Sequence, residues 1–279
     1  MSRKAEVLPL LRIEAHSGWS SLKLSEIWEF RELMYFLAWR DIKVRYKQTM
    51  LGAAWAILQP FSSMAIFSVF FGRLAHVPSE EVPYPVFSYI GLLPWIFFSN
   101  GLSLSSNSLV GSANLLTKVY FPRMIIPAAS IVSGLVDFAI GFLMLIPLMW
   151  FFGVTITAHV IWAPVFLLVA FAAALGFGLW LSAVNVQYRD VRYLVPFLTQ
   201  LFMFATPVIY PSSLLWEPWR TFFGLNPMVG VIEGFRWSLL GAREFPGSML
   251  ATSAISALVI LASGAFYFRK MERVFADVV

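Results

Sequence analysis

Residues able to do chemistry are sparse in this chain of 279 residues, and the gaps exclude whole classes of function. His16, His76 and His159 lie far apart and there is no cysteine, which rules out an HExxH zinc helix, thiolate metal sites, Fe–S clusters and disulfides. None of the seventeen glycines is followed by lysine, so the phosphate-cradling Walker A loop is absent and the chain does not bind ATP by that route. No GxSxG nucleophile elbow is present either. Asp137 is the one ionisable residue deep inside an apolar stretch. Such a residue is functional, makes an interhelical hydrogen bond, or partners a nearby arginine. The remaining charge gathers in WRDIKVRYKQTMLGAAWAILQP, Trp39 to Pro60, where Arg40, Asp41, Lys43, Arg45 and Lys47 run straight into grease.

Composition says what positions these residues. The chain is 59% hydrophobic and 13% charged, whereas soluble domains are about half apolar and about a quarter charged. This predicts an all-α polytopic membrane protein. A net charge of +5 could suggest nucleic acid, but the cations sit at the ends of apolar spans, where membrane topology needs them, so no nucleic-acid partner is expected. Six segments reach the roughly 20 apolar residues that cross a bilayer: about 51–72, 85–109, 124–151, 160–184, 194–210 and 248–268. The fifth is short. Between it and the sixth, residues 211–246 are too polar to span and too apolar for a plain loop, which fits short interfacial or re-entrant helices. Sixteen of the twenty Lys and Arg fall in residues 1–50, in two loops around 111–124 and 185–192, or in the tail. The loops 74–84 and 152–159 hold none. This bias puts both termini in the cytoplasm. The run Val7–Leu11 is too short for a signal-peptide core, so residues 1–25 are expected to remain as a cytoplasmic segment.

Residues 26–47 read as an amphipathic helix with Ser25 as its N-cap. Glu29, Glu32, Arg40, Lys43 and Lys47 share one face. Ile27, Phe30, Met34, Leu37, Ala38 and Ile42 share the other, flanked by Trp28, Tyr35, Trp39 and Tyr46. Arg31, Asp41 and Arg45 violate the apolar face, and the i,i+4 spacing of Asp41 and Arg45 suggests a pair. A plain lipid anchor would gain nothing by submerging charges, which favours docking onto protein. In GSANLLTKVYFPRMIIP, Asn114 can cap a short helix that Pro122 ends. That leaves Leu115, Leu116, Val119, Tyr120 and Phe121 exposed beside Lys118 and Arg123, an arrangement that calls for a covering partner. In NVQYRDVRYLVP, Tyr188, Arg189, Asp190 and Arg192 lie at the inner end of the fourth span, where topogenic and salt-bridging roles are the plain reading.

The run GLLPWIFFSNGLSLSSNSLVGSANLLTKVYFPRMIIP, preceded by WRDIKVRYKQTMLGAAWAILQP and followed by NVQYRDVRYLVPFLTQLFMFATPVIYP and LNPM, resembles the permease subunits of ABC-2-type polysaccharide exporters. The likeness runs in order over about residues 26–270. It implies a homodimeric permease bound to two copies of a separate ATPase that carries the ATP and magnesium, with no cofactor in this chain, and a lipid-linked polysaccharide as substrate. It also implies that 26–47 is the interface helix of a six-span domain covering 48–279, and that about 114–123 forms a coupling helix. Trp39, Arg40, Asp41, Lys43, Arg45, Tyr188, Arg189 and Asp190 would join in ATPase coupling. Residues 211–246 would then be an outer gate, with Trp216, Trp219, Asn226, Glu233 and Arg236, the last pair also spaced for a local i,i+3 ion pair. The first and fifth spans would line a channel.

Aromatics make up 17% of the chain, and rings contact the apolar faces of sugars without gripping them. Phe61, Phe67, Phe70, Phe197, Phe202, Phe204 and Tyr210 are the channel candidates, joined by Trp95, Phe97 and Phe98 after Pro94. A membrane glycosyl- or acyltransferase would need clustered carboxylates or histidines at one face, and a secondary transporter several intramembrane charges; neither pattern occurs. A reporter fused after Glu81 is expected to read as extracytoplasmic, and a cytoplasmic signal there would overturn the six-span topology.

Overall fold

The computed structural model describes residues 24–47, 49, 51–118, 120–214, 216, 219–241, 245–272 and 275; the expected segment 1–25 lies almost wholly outside them. Among the described residues the chain is helical, with no strand. It opens with α1 (Leu24–Glu29) and α2 (Arg31–Tyr46), separated by a turn at Phe30. Leu24 already lies in α1, so Ser25 sits inside the helix instead of capping it, and residues 26–47 form two helices where the sequence suggested one. The first span begins as a 3₁₀ turn (Gly52–Ala54), continues as α3 (Trp55–Phe67) and ends as a π-helix (Ser68–Leu74). Then come α4 (Tyr84–Gly111), α5 (Ala113–Lys118), α6 (Ile125–Phe151), a 3₁₀ turn at Ala158–Trp162, α7 (Ala163–Gln187) and α8 (Val191–Ala205). A 3₁₀ turn (Ser212–Leu214), α9 (Trp219–Phe223), α10 (Pro227–Leu240) and α11 (Gly247–Met271) complete it.

Five of these helical stretches are long and apolar enough to cross a membrane: Gly52–Leu74, Tyr84–Gly111, Ile125–Phe151, Ala158–Gln187 and Gly247–Met271. The expected fifth span, 194–210, is helical only to Ala205. With 15 residues and a rise of about 1.5 Å each, α8 falls short of the ~30 Å hydrocarbon core. Thr206 is extended, and the chain runs on through turns to Ser212.

Helix α4 is the central post: 78% of its apolar window is buried, against 11% for the first span. Around it α6, α7, α8 and α10 enclose a core in which Phe138 meets Phe97 and Phe235 edge to face. A second core lies at the end where α4 and α7 finish and α6 begins, joining Leu37 and Ala38 of α2 to Leu109, Ile126, Ala129, Ala183 and Phe268. Lipid is as apolar as leucine, so such helices associate through close packing. Helices α7 and α11 meet backbone to backbone: a Cβ on Gly176 would lie 2.6 Å from the Leu261 nitrogen, and one on Gly264 would lie 2.4 Å from the Gly176 carbonyl oxygen.

Residues 211–246 carry the short helices expected of them, and α10 is almost entirely buried. Asn226 caps it, accepting from the Met228 amide at 3.1 Å, with Pro227 at the first helical position; Gly241, at φ +65°, ends it. Within α10, Arg236 pairs with Glu233 at 3.0 Å and donates to the carbonyls of Val208 (2.8 Å) and Tyr210 (3.3 Å). Its guanidinium also lies 3.8 Å from the centre of the Phe87 ring. Glu233 accepts from the Ser212 amide at 3.4 Å, and Tyr84 donates to Ile209 O at 2.7 Å. These side chains supply the backbone partners that the non-helical stretch after α8 lacks, which is what irregular chain at membrane depth requires. Arg236→Leu removes the ion-pair partner of Glu233 and the donors to the Val208 and Tyr210 carbonyls, and the expected cost is about 3–5 kcal/mol. Thermal unfolding in detergent should show a clear fall in midpoint; an unchanged midpoint would sink this account.

Candidate functional site

The sequence puts its candidate coupling residues on α2, in and just after α5, and between α7 and α8, and packing brings these places together with the end of α11. Ser112 turns the chain out of α4, and its carbonyl accepts from the Leu115 amide at 2.9 Å. Helix α5 starts at Ala113, so Asn114 lies in its first turn and is not the cap; the helix stops at Lys118, before Pro122. Asn114 and Lys118 are exposed, and Leu115 is half-buried against the second core. Val119 and the Leu116 side chain lie outside the described residues.

The aromatic pair that follows is divided. Tyr120 is 73% exposed, while Phe121 is 4% exposed and belongs to the second core. Arg123 also turns inward, its amide donating to Glu272 Oε1 at 3.1 Å and its Nη1 to the Glu272 carbonyl at 2.8 Å. Arg269 holds the other Glu272 oxygen at 2.7 Å, and Phe275 packs on Phe268. Phe121 and Arg123 are therefore anchors of the loop, and the exposure expected for Phe121 is corrected. Glu272 and Phe275 were missed; the i,i+3 spacing of Arg269 and Glu272 was their signal.

On α2, Trp39, Arg40 and Lys43 are exposed, with Lys43 Nζ 5.3 Å from the Trp39 ring centre. The suggested Asp41–Arg45 pair does not form. Asp41 pairs with Arg40 at 2.9 Å and accepts from Ser130 Oγ at 3.5 Å. Arg45 pairs with Asp137 and donates to Ser133 Oγ at 3.1 Å. Tyr46 donates to the second Asp137 oxygen. Burial first, and then this hydrogen bond to a carboxylate, push the Tyr46 hydroxyl above its ordinary pKa, so it stays a donor. The charges on the apolar face of α2 thus meet a polar stripe on α6. Tyr188, Arg189 and Asp190 are exposed where α7 gives way to α8, above a buried Asn185 whose amide donates to Ser106 O at 2.8 Å on α4.

The aromatic candidates fall into two groups. Phe61 and Phe70 on the first span and Phe197, Phe202 and Phe204 on α8 are exposed; Phe67 is half-buried against Phe71. Half-buried Tyr210 donates to the Phe204 carbonyl at 3.1 Å. Trp95, Phe97 and Phe98, by contrast, are core residues. Trp95 and Phe98 border an apolar cavity of about 490 Å³ with Phe177, Trp180 and Phe202, so they do not lie on an open face of the single chain. Of the gate candidates, Trp216 and Trp219 are exposed and Asn226 serves as a cap that also donates to Thr206 Oγ1 at 2.9 Å. Glu233 and Arg236 are fully internal. The local pair between them is present, but neither offers an accessible surface. A second cavity of about 280 Å³ lies between α2, α3, α4 and α6, with Arg45, Tyr46, Gln59, Asn100, Ser103 and Asp137 among its lining. No group of three His, Asp or Glu able to hold a metal occurs among the described residues.

Long apolar helices with a charged amphipathic helix packed on them define a multi-pass membrane protein. Residues 32–240 match the family described as ABC-2 type transporter, and the chain belongs to that family. It is similar to the O-antigen export system permease protein RfbA of Myxococcus xanthus, 31% identical over 252 residues, which cover 88% of this chain and 95% of that protein. A protein of the same name from Klebsiella pneumoniae is 24% identical over 249 residues, again 88% and 95%. The polysialic acid transport protein KpsM of Escherichia coli is 25% identical over 244 residues, 84% of this chain and 91% of that protein.

The opposed placement of Tyr120 and Phe121 gives a direct test. Phe121→Ala is expected to destabilise the chain by about 3–5 kcal/mol, and Tyr120→Ala by less than about 0.5 kcal/mol. Melting of the two variants in detergent reads the difference, and equal midpoints would contradict it.

Proposed function

We propose that this chain is the permease subunit of an ATP-driven exporter that moves a lipid-linked polysaccharide, of O-antigen type, across the bacterial cytoplasmic membrane. The carrying observation is its similarity, over nearly its whole length, to proteins named for O-antigen export. Two permease copies form the pathway, and two copies of a cytoplasmic ATPase bind the ATP and magnesium for which this chain has no phosphate loop. The Lys- and Arg-rich ends face the cytoplasm with both termini.

The geometry supports a division of labour. Tyr120, Lys118, the exposed face of α2 and the Tyr188–Asp190 corner form a surface for the ATPase, while Phe121 and Arg123 fix the loop that presents it. An ATPase that contacts this surface differently with and without nucleotide shifts the permease between states by that difference. The little-buried first span and α8 offer the faces on which a second copy would close a channel, with Phe61, Phe70, Phe197, Phe202 and Phe204 toward the sugar. Aromatic faces suit a polymer that must slide, because they cover apolar C–H surfaces through contacts made and lost in small steps.

The test is genetic and chemical together. Deleting the gene should remove the surface polysaccharide and leave its lipid-linked form inside the cell, and supplying the chain again should reverse both. Normal surface polysaccharide in the deletion strain would refute the proposal. The likeness to KpsM supports a second reading, export of a capsular polymer by the same machinery, which is separated from the first by which surface polymer disappears.

A further inference from the structure

The apolar helix α6 carries an isolated polar stripe: Ser130, Ser133 and Asp137, three and four residues apart and hence on one face. Helix α2 meets it residue for residue. Asp41 receives Ser130, Arg45 reaches Ser133 and Asp137, and Tyr46 takes the other Asp137 oxygen. Beneath this ladder Leu37 and Ala38 are buried in the core that holds Ile126 and Ala129. Separating the two helices would strip a carboxylate of every partner named here, beside an otherwise apolar helix, where an unpaired charge is costly.

The junction of α2 with the first span is built the other way. The backbone leaves the helical path at Lys47, with ψ 132°, and Gly52 has φ +48°, a conformation that L side chains rarely adopt. The cavity of about 280 Å³ is lined by Arg45, Tyr46 and Asp137 together with Trp55 and Gln59, so open space separates part of the first span from the ladder. One neighbour of α2 is bolted on and the other is hinged.

We propose that Asp137 is a positioning residue that makes α2 and α6 one rigid lever: displacement of α2 by the ATPase is delivered to α6, and the first span follows by bending at Lys47 and Gly52. The proposal rests on the export reading and deepens it.

The absence of native cysteine makes the test clean, because an Asp41→Cys, Ser130→Cys pair supplies the only thiols of this chain. In the complex with its ATPase, the pair is expected to cross-link at the same rate with no nucleotide and with ATP plus vanadate. The cross-linked complex should retain export and ATP turnover within about twofold of the reduced form. No cross-link, a nucleotide-dependent change in rate above about tenfold, or arrest of export on oxidation would each overturn the rigid lever. Asp137→Asn is expected to lower export per ATP hydrolysed about tenfold, and the exchange of Arg45→Asp with Asp137→Arg should restore most of it. A purely structural role would instead lower yield and ATP turnover together. Failure of the unaltered chain to export would refute the export reading while leaving the cross-linking rates to judge the lever.

Discussion

The Asp137 carboxylate lies in an apolar helix with one oxygen held by Arg45 and the other by Tyr46, both from a helix that precedes the first span. A charged or polar group set among apolar helices must be satisfied largely by protein, and that constraint organises much of this fold. It fixes where α2 lies and why an amphipathic helix carries charges on its apolar side. The same demand recurs at the far end of α8, where Arg236 and Glu233 hold the carbonyls and an amide of a chain that has stopped being helical. At both places an ion pair is the device that lets backbone or charge exist at depth.

The rest of the cohesion is steric. Helices α7 and α11 close to backbone contact because glycine occupies both sides of the crossing. Trp180 and Tyr267 then stack 4.0 Å apart beside it. The bundle around α4 is a tight scaffold, whereas the first span and α8 are bare along much of their length. A rigid scaffold with two lightly held helices suits a molecule whose moving parts must be few.

Much of this was legible in the sequence, and the failures have physical reasons. Span length and cation placement gave the helices to within a few residues, because a bilayer imposes a length and a charge rule that need no partner. Helix α10 carries bounds sharper than the short helices expected of 211–246, with Asn226-Pro227 at its start and Gly241 at its end. The periodicity of α2 placed Leu37 and Ala38 inside correctly. Pairing was the hidden part. Asp41 and Arg45 looked like each other's partner because spacing along one helix is visible, while a stripe 92 residues away on another helix is not. Phe121 read as exposed because the cation bias assigns its loop to the water side, and nothing local reveals the pocket that receives it. Trp95 and Phe98 show the same limit: a helix apolar all round hides which side faces inward.

Glu272 accepts from an arginine 149 residues before it. A ribosome must therefore complete nearly the whole chain before the loop after α5 gains its clasp. Until α11 is in place, the segment that carries Tyr120 lacks the Arg123–Glu272 contacts. The fold thereby enforces an order of manufacture, in which the loop that carries Tyr120 is finished only after α11 is in place.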